Sequence, residues 1–86
     1  MTDDGQLLRR YREEHAEQAF RELVAQNIDV VYSVALRKLG GDRHLAEDVT
    51  QKVFADLASK AGRLPEGTVL AGWLYRHACF TASKVV

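Results

Sequence analysis

Between residues 16 and 39 the apolar side chains Ala19, Phe20, Leu23, Val24, Ile28, Val31, Tyr32, Ala35, Leu36 and Leu39 recur at the spacing of an α-helix, about 3.6 residues per turn. A stripe this long must be covered, so the chain has to fold by packing helix on helix. Asn27 interrupts the stripe. As a favoured N-cap residue it predicts a break, with a second helix starting at Ile28. Gly40-Gly41 ends the segment, because glycine accepts the left-handed conformation of a helix C-terminal cap.

The rest of the chain supplies the covering helices. Residues 3–14 carry Leu7, Leu8 and Tyr11 as a narrow apolar stripe between charged residues. Asp42 is placed to cap a third helix over residues 43–61, in which Leu45, Val49, Val53, Leu57 and Ala61 recur every four residues with Ala46 beside them. Residues 62–67 are the one strong loop signal. Thr68 is placed to cap a fourth helix from residue 69 to the end, where no glycine, proline or polar stop appears. No segment reads as a strand. The expectation is an all-α fold, a compact bundle of three to four helices forming one domain over residues 1–86. The uninterrupted fourth pattern reads as part of a longer chain.

Composition narrows the function. In 86 residues, twelve basic side chains balance twelve acidic ones, and 47% of the residues are hydrophobic. That is the balance of a folded domain rather than a disordered segment. One cysteine, Cys79, forms no internal disulfide, and the three histidines lack zinc-ligand spacing, which fits a reducing, cytoplasmic compartment and predicts no metal. The acidic start is wrong for a signal peptide, and no apolar run is long enough for a membrane span. Without a glycine-rich phosphate loop or a nucleophile–base pair, no enzyme, cofactor or small-molecule substrate is expected. Net neutrality argues against binding duplex DNA by bulk charge. The charge is uneven, however. Residues 1–22 hold six acids and four bases, whereas residues 63–86 hold one acid and three bases.

Two helical faces exceed what a core needs. On a wheel of about 100° per residue, Asp48, Gln51 and Phe54 form a slanted outward row on the third helix. Carboxylate, amide and aromatic in that order suit contact with another helix. The alternative is that Asp48 pairs with Lys52 one turn on, while Phe54 covers a neighbouring helix of its own domain. On the fourth helix Leu70, Leu74, Ala78, Thr81 and Val85 form the expected core row. Trp73, Arg76, Phe80 and Lys84 share another side, with His77 at its border. Aromatics interleaved with cations suit a single nucleic-acid strand, stacking on unpaired bases and meeting phosphates. The alternative is that the rings complete the core and the cations face water.

The stretch Leu45-Ala46-Glu47-Asp48-Val49-Thr50-Gln51-Lys52-Val53-Phe54 resembles the region 2 signature of bacterial sigma factors of the extracytoplasmic-function type. Ala19-Phe20-x-x-Leu23-Val24 and Val31-Tyr32-x-x-Ala35-Leu36-x-x-Leu39-Gly40 resemble the helices before that signature. Ala71-Gly72-Trp73-Leu74-Tyr75-Arg76-His77-Ala78 resembles the promoter-reading helix after it. The resemblance implies that Asp48, Gln51, Lys52 and Phe54 dock on core RNA polymerase, at the β′ clamp helices. It also implies that residues 63–70 and Arg63, Trp73, Arg76, His77, Phe80 and Lys84 meet promoter DNA, on the non-template strand of the minus-ten element. An anti-sigma factor is a further implied partner, and a helix-turn-helix domain is expected beyond this segment. Two positions depart from the family pattern: Lys52 stands where glutamate is usual, and Cys79-Phe80 where Arg-Asn is common. Those departures favour the alternative, a helical protein–protein interaction module or sigma-like regulator without promoter reading.

Overall fold

The structure, a computed structural model, describes residues 3–85. Four helices follow in order: α1 (Asp4–Glu14), α2 (Glu17–Lys38), α3 (Arg43–Lys60) and α4 (Leu70–Ser83). A single 3-10 turn (Ala61–Arg63) leads out of α3. The described residues contain no strand, so the all-α bundle expected from the sequence is the fold. α2 is its hub, packing against α1, α3 and α4, while α3 and α4 also pack on each other. Leu7, Leu23, Val31, Val49, Val53 and Leu57 are the largest side chains sealed from solvent.

α2 does not break at Asn27. An N-cap side chain must accept from backbone N–H groups ahead of it. The buried Asn27 amide instead donates backwards, to the Leu23 carbonyl at 2.8 Å and to Asp4 Oδ1 at 3.1 Å. The helix runs on, and the asparagine ties α1 to α2. Ile28, expected in the core, is exposed, and Val34 takes a buried place that the stripe had not assigned. The covered side of α2 therefore runs Ala19, Leu23, Asn27, Val31, Val34 and Ala35.

The connection from α2 to α3 follows the sequence closely. Gly40 and Gly41 both have positive φ, 65° and 88°. The Gly41 N–H bonds the Leu36 carbonyl at 2.9 Å and that of Gly40 reaches Arg37 at 3.5 Å, a Schellman motif. Asp42 Oδ1 then accepts from the Leu45 N–H at 3.1 Å and caps α3. Replacing Asp42 by alanine should cost about 0.5–2 kcal/mol of stability. The check is a lower urea midpoint with an unchanged slope.

The entry to α4 differs from expectation. Thr68 does not cap the helix; Val69 occupies that position without a capping side-chain bond. The Thr68 hydroxyl donates to the Pro65 carbonyl at 2.6 Å, and its N–H reaches the same oxygen at 3.2 Å. The threonine thus closes a turn over residues 65–68 whose third residue, Gly67, has φ 79° as a type II turn requires. The buried row of α4 is Leu70, Leu74, Ala78 and Ala82. Thr81 is half-buried and Val85 exposed, so the row keeps its four-residue step to Ala82 instead of turning to the predicted pair. α4 ends at Ser83, whose hydroxyl bonds the Phe80 carbonyl at 2.7 Å. The expected extension of this helix does not occur: Lys84 caps it and Val85 follows in a turn, while Val86 lies outside the described residues.

Candidate functional site

Asp48, Gln51 and Lys52 stand exposed on α3, as the outward row requires. Phe54 does not. It is 7% exposed and belongs to the core, because the interior flank of α3 extends past Val53 to the next residue on the wheel. Its contribution to the row is support from beneath. Lys52 does not pair with Asp48 either. Its Nζ lies 2.8 Å from Asp56 Oδ1, one turn further along α3. Asp48 has no hydrogen-bond or ion-pair partner among the described residues, which leaves its carboxylate open to a cation from outside. Gln51 borders a shallow cavity of about 320 Å³ between α2 and α3, walled by Ile28, Tyr32 and Thr50. The exposure of Ile28, unexpected from the stripe, gives that cavity an apolar edge.

On α4 the structure brings together four of the residues singled out. Trp73 and His77 stack with ring centroids 4.6 Å apart and planes 14° apart. His77 and Phe80 follow at 6.1 Å, and Lys84 Nζ sits 4.7 Å above the Phe80 ring. Phe80 is 55% exposed, with Lys84 over one face of its ring, whereas Trp73 is half-buried against the core. Arg76 is exposed and folds back over Gly72, its Nη1 3.4 Å from where a Cβ there would lie. Arg63 is exposed in the 3-10 turn and makes no ring contact, hydrogen bond or ion pair among the described residues.

The sequence reading missed Asp56. Its Oδ2 lies 2.8 Å from His77 Nε2, across the α3–α4 interface. Spacing within one helix reveals Lys52 and Asp56 as an i, i+4 pair, but nothing in the sequence shows which α4 residue faces them. A carboxylate can only accept, so the Nε2 atom of His77 carries the proton. Hydrogen bonds from Lys52 and then His77 hold the Asp56 carboxyl below the ordinary carboxylate range, against a smaller opposing effect of burial. A depressed carboxyl stabilises the fold above its unfolded pKa, and that contribution disappears as pH falls through the folded pKa. The stability advantage of wild type over Asp56→Asn should therefore be complete above about pH 5 and shrink below about pH 4. Urea unfolding of both proteins across that range checks it.

Between α3 and α4 a groove of about 630 Å³ is lined by Val49, Asp56, His77, Phe80 and the lysines 52, 60 and 84. No three His, Cys, Asp or Glu side chains among the described residues could jointly hold a metal. No helix of the described residues is long and apolar enough to cross a membrane.

Comparison with known proteins covers the exposed row of α3 and the α4 rings, though not Lys84. The family model described as Sigma-70 region 2 matches residues 23–82, from within α2 to the last turn of α4. The ECF RNA polymerase sigma factor SigE of Mycolicibacterium smegmatis is 44% identical over 55 residues, which is 64% of this chain and 21% of that protein. The match thus spans about a fifth of that relative's length. No solved structure gave a significant match.

Proposed function

The chain belongs to the sigma-70 region 2 family, in its extracytoplasmic-function branch, and from that membership we propose that it serves transcription initiation by docking on core RNA polymerase and reading the minus-ten promoter element. The observation that carries the reading is the pairing of two chemically distinct surfaces on adjacent helices. α3 presents the unpartnered Asp48 and the exposed Gln51, while α4 presents the stacked Trp73 and His77, the exposed Phe80 ring with Lys84 over it, and Arg76.

In this reading Asp48 and Gln51 grip the β′ clamp helices, with Phe54 fixing the backbone beneath them. Lys52, turned to Asp56, leaves Asp48 free for a partner cation. α4 and the loop bearing Arg63 then meet the non-template strand. Opening a few base pairs costs several kcal/mol, and stacking extruded bases on protein rings offsets about 1–3 kcal/mol per base. The balanced net charge fits a domain that binds DNA weakly alone and acts once anchored to a larger enzyme. No covalent step falls to this chain, and an anti-sigma factor covering either face would silence it.

The exposed Phe80, standing where an amide is common in the family, favours one other reading: a sigma-like regulator that docks without reading promoters. Binding of a randomised pool of short single-stranded oligonucleotides, with and without core polymerase, separates the two. Promoter reading predicts retention by the domain–core complex above core alone, lost in Arg76→Ala combined with Lys84→Ala. Retention no greater than that of core alone supports the regulator. Tight duplex binding by the isolated domain at physiological salt would contradict the anchored mechanism.

A further inference from the structure

The carboxylate of Asp56 has both oxygens committed, Oδ1 to Lys52 on its own helix and Oδ2 to His77 on α4, each at 2.8 Å. The side chains of Asp56 and His77 are about four-fifths or more buried, at 20% and 13% exposure. The imidazole is therefore gripped at its edge by a carboxylate that cannot swing away without losing Lys52. Its face is covered by Trp73, 4.6 Å away and nearly parallel.

We propose that Asp56 is a positioning residue for the aromatic face of α4: by accepting from His77 Nε2–H it fixes the plane of the imidazole, and the fixed imidazole holds the Trp73 ring in one orientation. The proposal deepens the reading of α4 as the strand-facing helix, and rests on that reading only for what the rings meet. An aromatic side chain on a helix has more than one rotamer open to it, and a neighbouring ring that is itself free to turn restrains it little. A ring held by a charge-assisted bond restrains it well. Ordering the platform before the ligand arrives removes an entropy cost from binding, which is the use of preorganisation. The other charged groups in the groove, Asp48, Lys52 and Lys60 from α3 and Lys84 from α4, make no hydrogen bond to the imidazole. The grip on His77 is thus assigned to Asp56 alone.

The test uses the chain's single tryptophan. Wild type and Asp56→Ala are labelled with nitrogen-15 and compared by NMR at about pH 8.5, where an ordinary imidazole is neutral. The ring nitrogens of His77 and the indole of Trp73 are read, with circular dichroism as the check on folding. The expected wild-type result is a single Nε2–H tautomer and an indole signal shifted by the stacked ring. In Asp56→Ala both tautomers should appear, the indole signal should move towards that of a free ring, and the helical content should be unchanged. An Nδ1–H tautomer in wild type would overturn the proposal even if the variant failed to fold, as would a Trp73 signal unaltered in a folded Asp56→Ala. In the oligonucleotide assay the variant should lose affinity in the core complex. Unchanged affinity with a loosened Trp73 would overturn the functional half and leave a purely structural contact. If wild type itself retains no oligonucleotide, the strand-reading proposal fails, while the tautomer measurement still decides the positioning.

Discussion

Leu57→Ala should remove about 2–5 kcal/mol of folding stability, the range for a buried leucine whose loss leaves a partly collapsed cavity. Leu57 is sealed from solvent and is among the largest residues of which that is true. It sits in the four-residue row of α3, the helix that packs against both α2 and α4. Domains of ordinary size are stable by about 5–15 kcal/mol, and small ones bury proportionally less surface. The substitution should therefore take away a large fraction of the total, leaving much of the population unfolded on mild warming. Urea unfolding followed by circular dichroism measures it. Ile28→Ala, at an exposed position of the α2 stripe, should stay within about 0.5 kcal/mol of wild type. A Leu57→Ala protein as stable as Ile28→Ala would mean that α3 does not wall the core as described.

Asp48→Arg should weaken binding to core RNA polymerase at least tenfold, about 1.4 kcal/mol or more. The reasoning starts from what Asp48 does not do. It is exposed and unpaired, so its replacement breaks no internal bond and should leave the fold within about 0.5 kcal/mol. A carboxylate kept free on a docking surface is there for a partner cation, and reversing its charge turns attraction into repulsion. Gln51→Ala removes one donor and one acceptor and should cost less. Phe54→Ala is a poor probe of docking, since this residue is in the core and its truncation would lower stability at the same time. Equal affinity of Asp48→Arg and wild type would remove Asp48 from the interface.

The parts of the fold that were legible in the sequence are those decided within one helix or one turn. The four-residue row of α3 from Val49 onward, the Asp42 cap and the paired glycines after α2 each depend on neighbours a few residues away, and each stands as expected; Leu45, expected to begin that row, is only half-buried. The parts that were not legible depend on what another helix brings. Asn27 continues α2 because Asp4 and the Leu23 carbonyl are there to accept from it, and the same residue type caps helices elsewhere. Thr68 had two local uses, cap or turn, and Pro65 took it. The candidate site divides in the same way. Asp48, Gln51 and the α4 aromatics were visible as faces on helical wheels. Phe54 lay at the edge of a stripe, where a small rotation of α3 decides between surface and core. Asp56 carried no signal of its own, because its partner His77 lies 21 residues away on another helix.

The most direct test of the central claim is a titration of the wild-type domain against a purified fragment of the β′ clamp helices, with Arg76→Ala run beside it. Docking through α3 predicts saturable binding that Arg76→Ala leaves unchanged, because that side chain projects from the other working helix. No binding by a well-folded domain would contradict the account, and would mean that the exposed row of Asp48 and Gln51 faces some other partner.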